Sequence, residues 1–122
     1  MDWHQLKAWL ETASGLNMDA LHVHAGVVLQ LVAALALRRP LRSPLPWLAV
    51  LLAEGINEYY DLAYEIWPNR GDQWAESVRD MWNTMLIPTL LFVLARWAPA
   101  AFAGRPAAPS GGDAGEAGGE AR

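Results

Sequence analysis

Glu54, Asn57, Glu58, Asp61 and Glu65 fall within three helical turns of an otherwise apolar stretch, "LLAEGINEYYDLAYE". Residues spaced 3, 4, 7 and 11 apart share one face of a helix, so these five form a single acidic stripe. The same arithmetic places Asp19, His22, Gly26 and Gln30 on one face of an earlier apolar segment, with His24 pointing elsewhere. A third row, Asp72, Glu76, Asp80 and Asn83, lines a later one. Carboxyls beside one imidazole are the groups that general acid–base work uses. Several carboxyls here face only His22, Arg70 and Arg79 as cations, and like charges set close together cannot all ionise.

Three helices must position these rows, and composition says where. The 122 residues suffice for one domain. More than half are hydrophobic, yet they are gathered into long blocks separated by charged joints. The first block, Met18–Leu37, is about 30 Å of helix, the thickness of a bilayer's hydrocarbon core. It stops at "RRPLRSP", where prolines follow arginines. The second block is expected over 46–67, with Pro46 in its first turn. The third is expected over 80–97, with Pro88 tolerated inside it. Between them "PNRG" reads as a turn.

The fold expected is therefore all-α, a membrane protein with three transmembrane helices over 16–103. Ahead of it, residues 1–15 read as an interfacial amphipathic helix. Trp3, Leu6, Trp9, Leu10 and Ala13 recur at helical spacing, while Asp2, Gln5, Lys7 and Glu11 are expected on solvated faces. This opening lacks the basic start and cleavage site of a signal peptide. Residues 104–122, small and acidic, are expected to form a disordered tail. The seven tryptophans fall mostly at block ends, as in an aromatic belt, and Tyr59, Tyr60 and Tyr64 read as belt residues too.

Charge orients the chain. Arg38, Arg39 and Arg42, then Arg96 and Arg105, lie on one side, against Lys7, Arg70 and Arg79 on the other. The positive-inside rule puts the N-terminus outside and the C-terminus in the cytoplasm of a bacterial inner membrane. In that topology Gln30 and Glu54 lie near mid-membrane, and His22, Glu58, Asp61, Asp80 and Asn83 lie nearer the outer leaflet. The three polar rows meet at one level.

Ionisable groups inside a bilayer cost roughly 3 kcal/mol or more, so they turn inward and mark function by default. The alternative is a polar network that only glues helices. A net charge of −4 and the absence of a basic stripe argue against nucleic acid. With no cysteine there is neither a thiolate nucleophile nor a disulfide. His22 with Glu58, Asp61 and Asp80 would make a mostly oxygen site for a divalent cation. No local metal signature such as HExxH accompanies them, so no metal ligand is assigned and no cofactor is expected.

Glu54 and Glu58 in a helix, Arg70 in the loop, then Asp80 and Asn83 opening the next helix resemble the VanZ-like family over about residues 48–95. The family comprises small bacterial membrane proteins with a Glu, Arg, Asp, Asn order across two helices, associated in one branch with glycopeptide tolerance. The resemblance implies that Glu58, Arg70, Asp80 and Asn83 are the residues to follow, at the envelope or on lipids.

The function expected is a pocket, open toward the outer leaflet, that binds or modifies a lipid-linked or envelope substrate. Glu58 or Asp61 would act as base, His22 as its proton partner and Asp80 as a further catalytic group, with Asn83 orienting substrate. Arg70 would hold an anionic headgroup, and Glu54, Asn57 and Gln30 would line the pocket. Membrane lipid is then the partner. The alternative is a non-enzymatic accessory subunit whose polar faces dock another membrane protein or a second copy.

Overall fold

A computed structural model describes residues 1–109. The described chain is all-helical: α1 (Trp3–Ser14), α2 (Met18–Leu37), α3 (Pro44–Tyr64), α4 (Arg70–Trp97) and a 3-10 turn, Pro99–Ala101. The expected tail falls mostly outside the described residues, its first six being exposed and irregular.

Each helix begins and ends for a local reason. Asp2 and Gln5 form a capping box on α1, and Gly15 ends it with φ of 70°, a conformation that costs glycine nothing. Asn17 caps α2, whose end is tied by bonds from Arg38 N–H to Leu35 O and from Arg39 N–H to Ala34 O. Ser43 caps α3, with Pro44 and Pro46 in its first turn, where no amide donor is missed.

Two expected boundaries are corrected. The second helix covers 44–64 rather than 46–67. The third begins ten residues before 80, because Asn69 accepts a bond from Gly71 N–H and turns "PNRG" into a helix start rather than a free turn. α4 therefore runs 28 residues, about 42 Å.

α2, α3 and α4 pack pairwise, while α1 joins them through side chains. Gly26 of α2 sets the crossing with α4: a Cβ there would stand 2.2 Å from the Thr84 carbonyl oxygen. That carbonyl is free because Pro88, four residues on, has no N–H to offer it. One turn along α2, Gln30 donates to the Pro88 carbonyl at 3.0 Å. α2 thus covers the proline break in α4 at two levels, and Trp47 of α3 donates to Thr89 Oγ1 at 2.9 Å beside it.

What these helices bury is polar. His22, Gln30, Glu54, Glu58, Asp61, Gln73, Asp80 and Thr84 are buried, against only Ala33, Val50 and Met85 among hydrophobic residues. The outside is apolar: on α2 alone, Val28, Leu31, Val32 and Leu35 are 44–79% exposed. Among the described residues α2 is the one helix long and apolar enough to cross a membrane by length and composition.

Candidate functional site

The three polar rows converge, those of α2 and α3 on the expected faces and that of α4 with a shift. On α2, His22, Gly26 and Gln30 are buried as a row that continues to Ala33, whereas Asp19 stays at the rim and accepts from Asn83 Nδ2 at 3.1 Å. On α3, Glu54, Glu58 and Asp61 are buried, with Asn57 and Glu65 half-buried at the edge. On α4 the buried row is Gln73, Asp80, Thr84 and Pro88, flanked by half-buried Ser77. Asp72 is exposed and Glu76 half-buried. The expected fourth-helix row was read one position off, since only Asp80 belongs to both.

His22 is the centre. Its Nδ1 lies 2.8 Å from the Met18 carbonyl, an acceptor only, so Nδ1 carries a proton. Nδ1 is also 3.8 Å from Asp80 Oδ1, and Nε2 is 3.9 Å from Glu54 Oε1. Neither separation is a hydrogen bond. Glu54 Oε1, Asp80 Oδ1 and Thr84 Oγ1 are buried with no hydrogen-bond partner among the described residues. Glu58 is better held: Ser77 Oγ donates to its Oε2, and Asn57 Nδ2 to its Oε1 at 3.2 Å.

Asp61, expected as a base, is engaged otherwise. Lys7 Nζ meets both its carboxylate oxygens at 2.7 and 2.8 Å. Lys7 was expected on a solvated face of α1, but its side chain is only 15% exposed. It shares a face with Trp3, whose Nε1 donates to Asn57 Oδ1 at 3.0 Å. The signal for this was the spacing of Trp3, Lys7 and Leu10 on one face, which competes with the Trp9 and Leu6 face. Ser77 and Thr84 were missed because isolated hydroxyls carry little pattern. His24 is exposed, its Nδ1 2.7 Å from the Ala20 carbonyl.

Arg70 is exposed at the first position of α4 and makes no side-chain hydrogen bond or ion pair among the described residues. It stands outside the cluster. Arg79 pairs with Glu76, which pushes its guanidinium up from its ordinary value. The remaining cation near the cluster is thus already matched.

A cavity of about 210 Å³ opens between α2 and α3 under α1. Its walls are apolar, from Leu21, Ala25 and Leu29 on one side to Val50 and Ala53 on the other. Trp3, Lys7 and Leu10 roof it, and His22, Glu54 and Thr84 form its floor. Glu58 and Asp80 are approached from the other side, through a small acidic hollow shared with Ser77 and Glu76.

Donor atoms of His22, Glu58 and Asp80 lie within 4.8 Å of one another, as do those of His4, Asp61 and Glu65, and of Asp19, Glu76 and Asp80. Lys7 satisfies the second group; Asn83 and Arg79 attend the third.

No protein-family model, curated protein or solved structure matches the chain.

Proposed function

We propose that this chain spans a bacterial inner membrane three times, through α2, α3 and the second half of α4, and binds the lipid portion of an envelope substrate in the cleft beneath α1. The observation that carries the reading is the cleft itself: an apolar slot ending on His22 and Glu54, in a molecule whose exterior is apolar. A lipid tail would lie along Leu21, Ala25 and Ala53, and its polar head would meet Lys7, Asn57, His22 and Glu54.

Three further features support a bilayer around it. Polar groups turned in and leucines turned out are the pattern that lipid requires. Trp47 with Tyr60 on α3, and Trp82 with Trp97 on α4, stand roughly 20 Å apart along their helices, as two aromatic girdles would. Arg38, Arg39, Arg42 and Arg96 gather at one end, the cytoplasmic one in this reading. The VanZ-like order of Glu58, Arg70, Asp80 and Asn83 is part of the same proposal, with Arg70 free to meet an anionic group in the outer headgroup layer.

Among the expected catalytic groups, Asp61 serves to hold α1 through Lys7, and Glu58 faces the acidic hollow. The groups that meet a bound head are therefore His22 and Glu54. Mass spectrometry of the full chain released from detergent should show a co-purified lipid species. Ala53→Trp, which fills the slot, should reduce it at least tenfold. An unchanged lipid profile in a folded Ala53→Trp protein would overturn the reading.

A second reading has one observation in its favour. Trp74, Val78 and Trp82 form an exposed stripe on α4, 55–67% exposed, which suits docking of another membrane protein. Stoichiometric co-purification with one partner, lost in Trp74→Ala, would favour an accessory subunit.

A further inference from the structure

We infer that His22, Glu58 and Asp80, with Glu54 as a fourth donor, form a binding site for a divalent transition cation of the manganese–zinc class. The inference stands apart from the lipid reading, since occupancy by a metal can be read with no lipid present.

The first ground is geometry. Three different helices bring one donor each within 4.8 Å. The imidazole is suspended between two carboxylates at 3.8 and 3.9 Å, bonded to neither. Those lengths exceed a hydrogen bond. With Nδ1 turned to the Met18 carbonyl, Nε2 is the free donor, and its 3.9 Å to Glu54 Oε1 suits two ligands of one ion, which stand about 2.0–2.2 Å from it and hence roughly 3–4 Å from one another.

The second ground is independent of spacing. Four buried side-chain atoms lack partners among the described residues, Gln30 Oε1, Glu54 Oε1, Asp80 Oδ1 and Thr84 Oγ1, and the two carboxylate oxygens among them are those that face His22. Glu54 is 6% exposed and Asp80 8%. A buried carboxylate oxygen is seldom left orphaned without an ion, a proton or a water to meet it.

Charge is the third. Glu54, Glu58 and Asp80 gather here, while Lys7 is committed to Asp61 and Arg79 to Glu76. Among the described residues no side-chain cation remains inside the cluster except His22. A dication supplies what is missing. The donor set chooses its class: one imidazole among carboxylates departs from the all-oxygen shells of calcium and magnesium, and no thiolate exists to favour a soft ion. The bond from Nδ1 to the Met18 carbonyl orients the ring, as outer contacts of metal-bound histidines do.

The test uses the full chain in detergent, stripped with chelator and titrated with Mn2+, with free ion read by electron paramagnetic resonance. One equivalent should bind, and pulsed spectra of the bound ion should show coupling to an imidazole nitrogen. His22→Ala should weaken binding at least tenfold, whereas His24→Ala and His4→Ala should leave affinity and nitrogen coupling unchanged. The nitrogen coupling in the unaltered chain decides the matter even where His22→Ala fails to fold. No binding, binding without nitrogen coupling, or binding that survives His22→Ala in a folded protein would overturn the inference, leaving protons alone to neutralise the cluster.

Discussion

Taking away the ammonium of Lys7 would leave Asp61 buried beside Gln73 with its charge unmatched. Lys7→Met should therefore lower stability by about 1–3 kcal/mol, between the ranges for exposed and buried pairs. Lys7→Met combined with Asp61→Asn should recover most of that loss, which thermal unfolding of the four proteins in detergent would show. Gly26 gives a second prediction at this scale. Gly26→Ala drives a methyl into the Thr84 carbonyl and should cost about 1–3 kcal/mol. Gly55→Ala meets nothing within 4 Å and should be neutral, or stabilising by up to about 1 kcal/mol, by the same measurement. Glu54, Glu58, His22 and Asp80 were legible from the sequence because charged groups in apolar runs have few places to go. Lys7 was not, because a cation on a short amphipathic helix looks solvated until its partner, 54 residues away, is known.

Among the elements, α1 differs from the rest. It has no buried residue and is held by Trp3 to Asn57, His4 near Glu65 and Lys7 to Asp61. Its backbone amides should exchange with deuterated water about a hundredfold faster than those at the centre of α2, by mass spectrometry of peptides. Equal protection would show that α1 is locked down by more than three side chains. α2 was readable to the residue, being apolar between a cap and a pair of arginines. The start of α4 was legible only in part: "DQWAESVR" could be helical and puts Asp72 and Glu76 in line with Asp80, but it has no apolar row of its own, and "PNRG" read as a turn hides the cap at Asn69. Pro88 was expected to be tolerated inside its helix, and α4 runs through it, with Gln30 of α2 donating to the Pro88 carbonyl and Gly26 lying close against the Thr84 carbonyl that the missing N–H leaves free.

For the whole molecule, the inverted distribution of polarity was partly legible, since polar rows at matching depth imply an interior. Which row residues face inward on α4 depends on its packing angle against α2, and no periodicity specifies that. The proposed three-span topology predicts how the chain reacts with membrane-impermeant thiol reagents, an experiment made clean by the absence of native cysteine. Thr12→Cys and Asp72→Cys should label from outside, and Ala103→Cys only after the membrane is opened. The buried carboxylates of α3 also constrain how the protein is made. Glu54, Glu58 and Asp61 would each cost roughly 3 kcal/mol in lipid if α3 entered alone. α2 needs no such help. The helix that shields those carboxylates, α4, follows α3 in the chain, so in the proposed topology α3 should not commit to the bilayer before α4 has emerged. A chain stopped after Tyr64 should keep α2 inserted and leave α3 open to protease. In that topology the emergence of α4 acts as the checkpoint for the integration of α3.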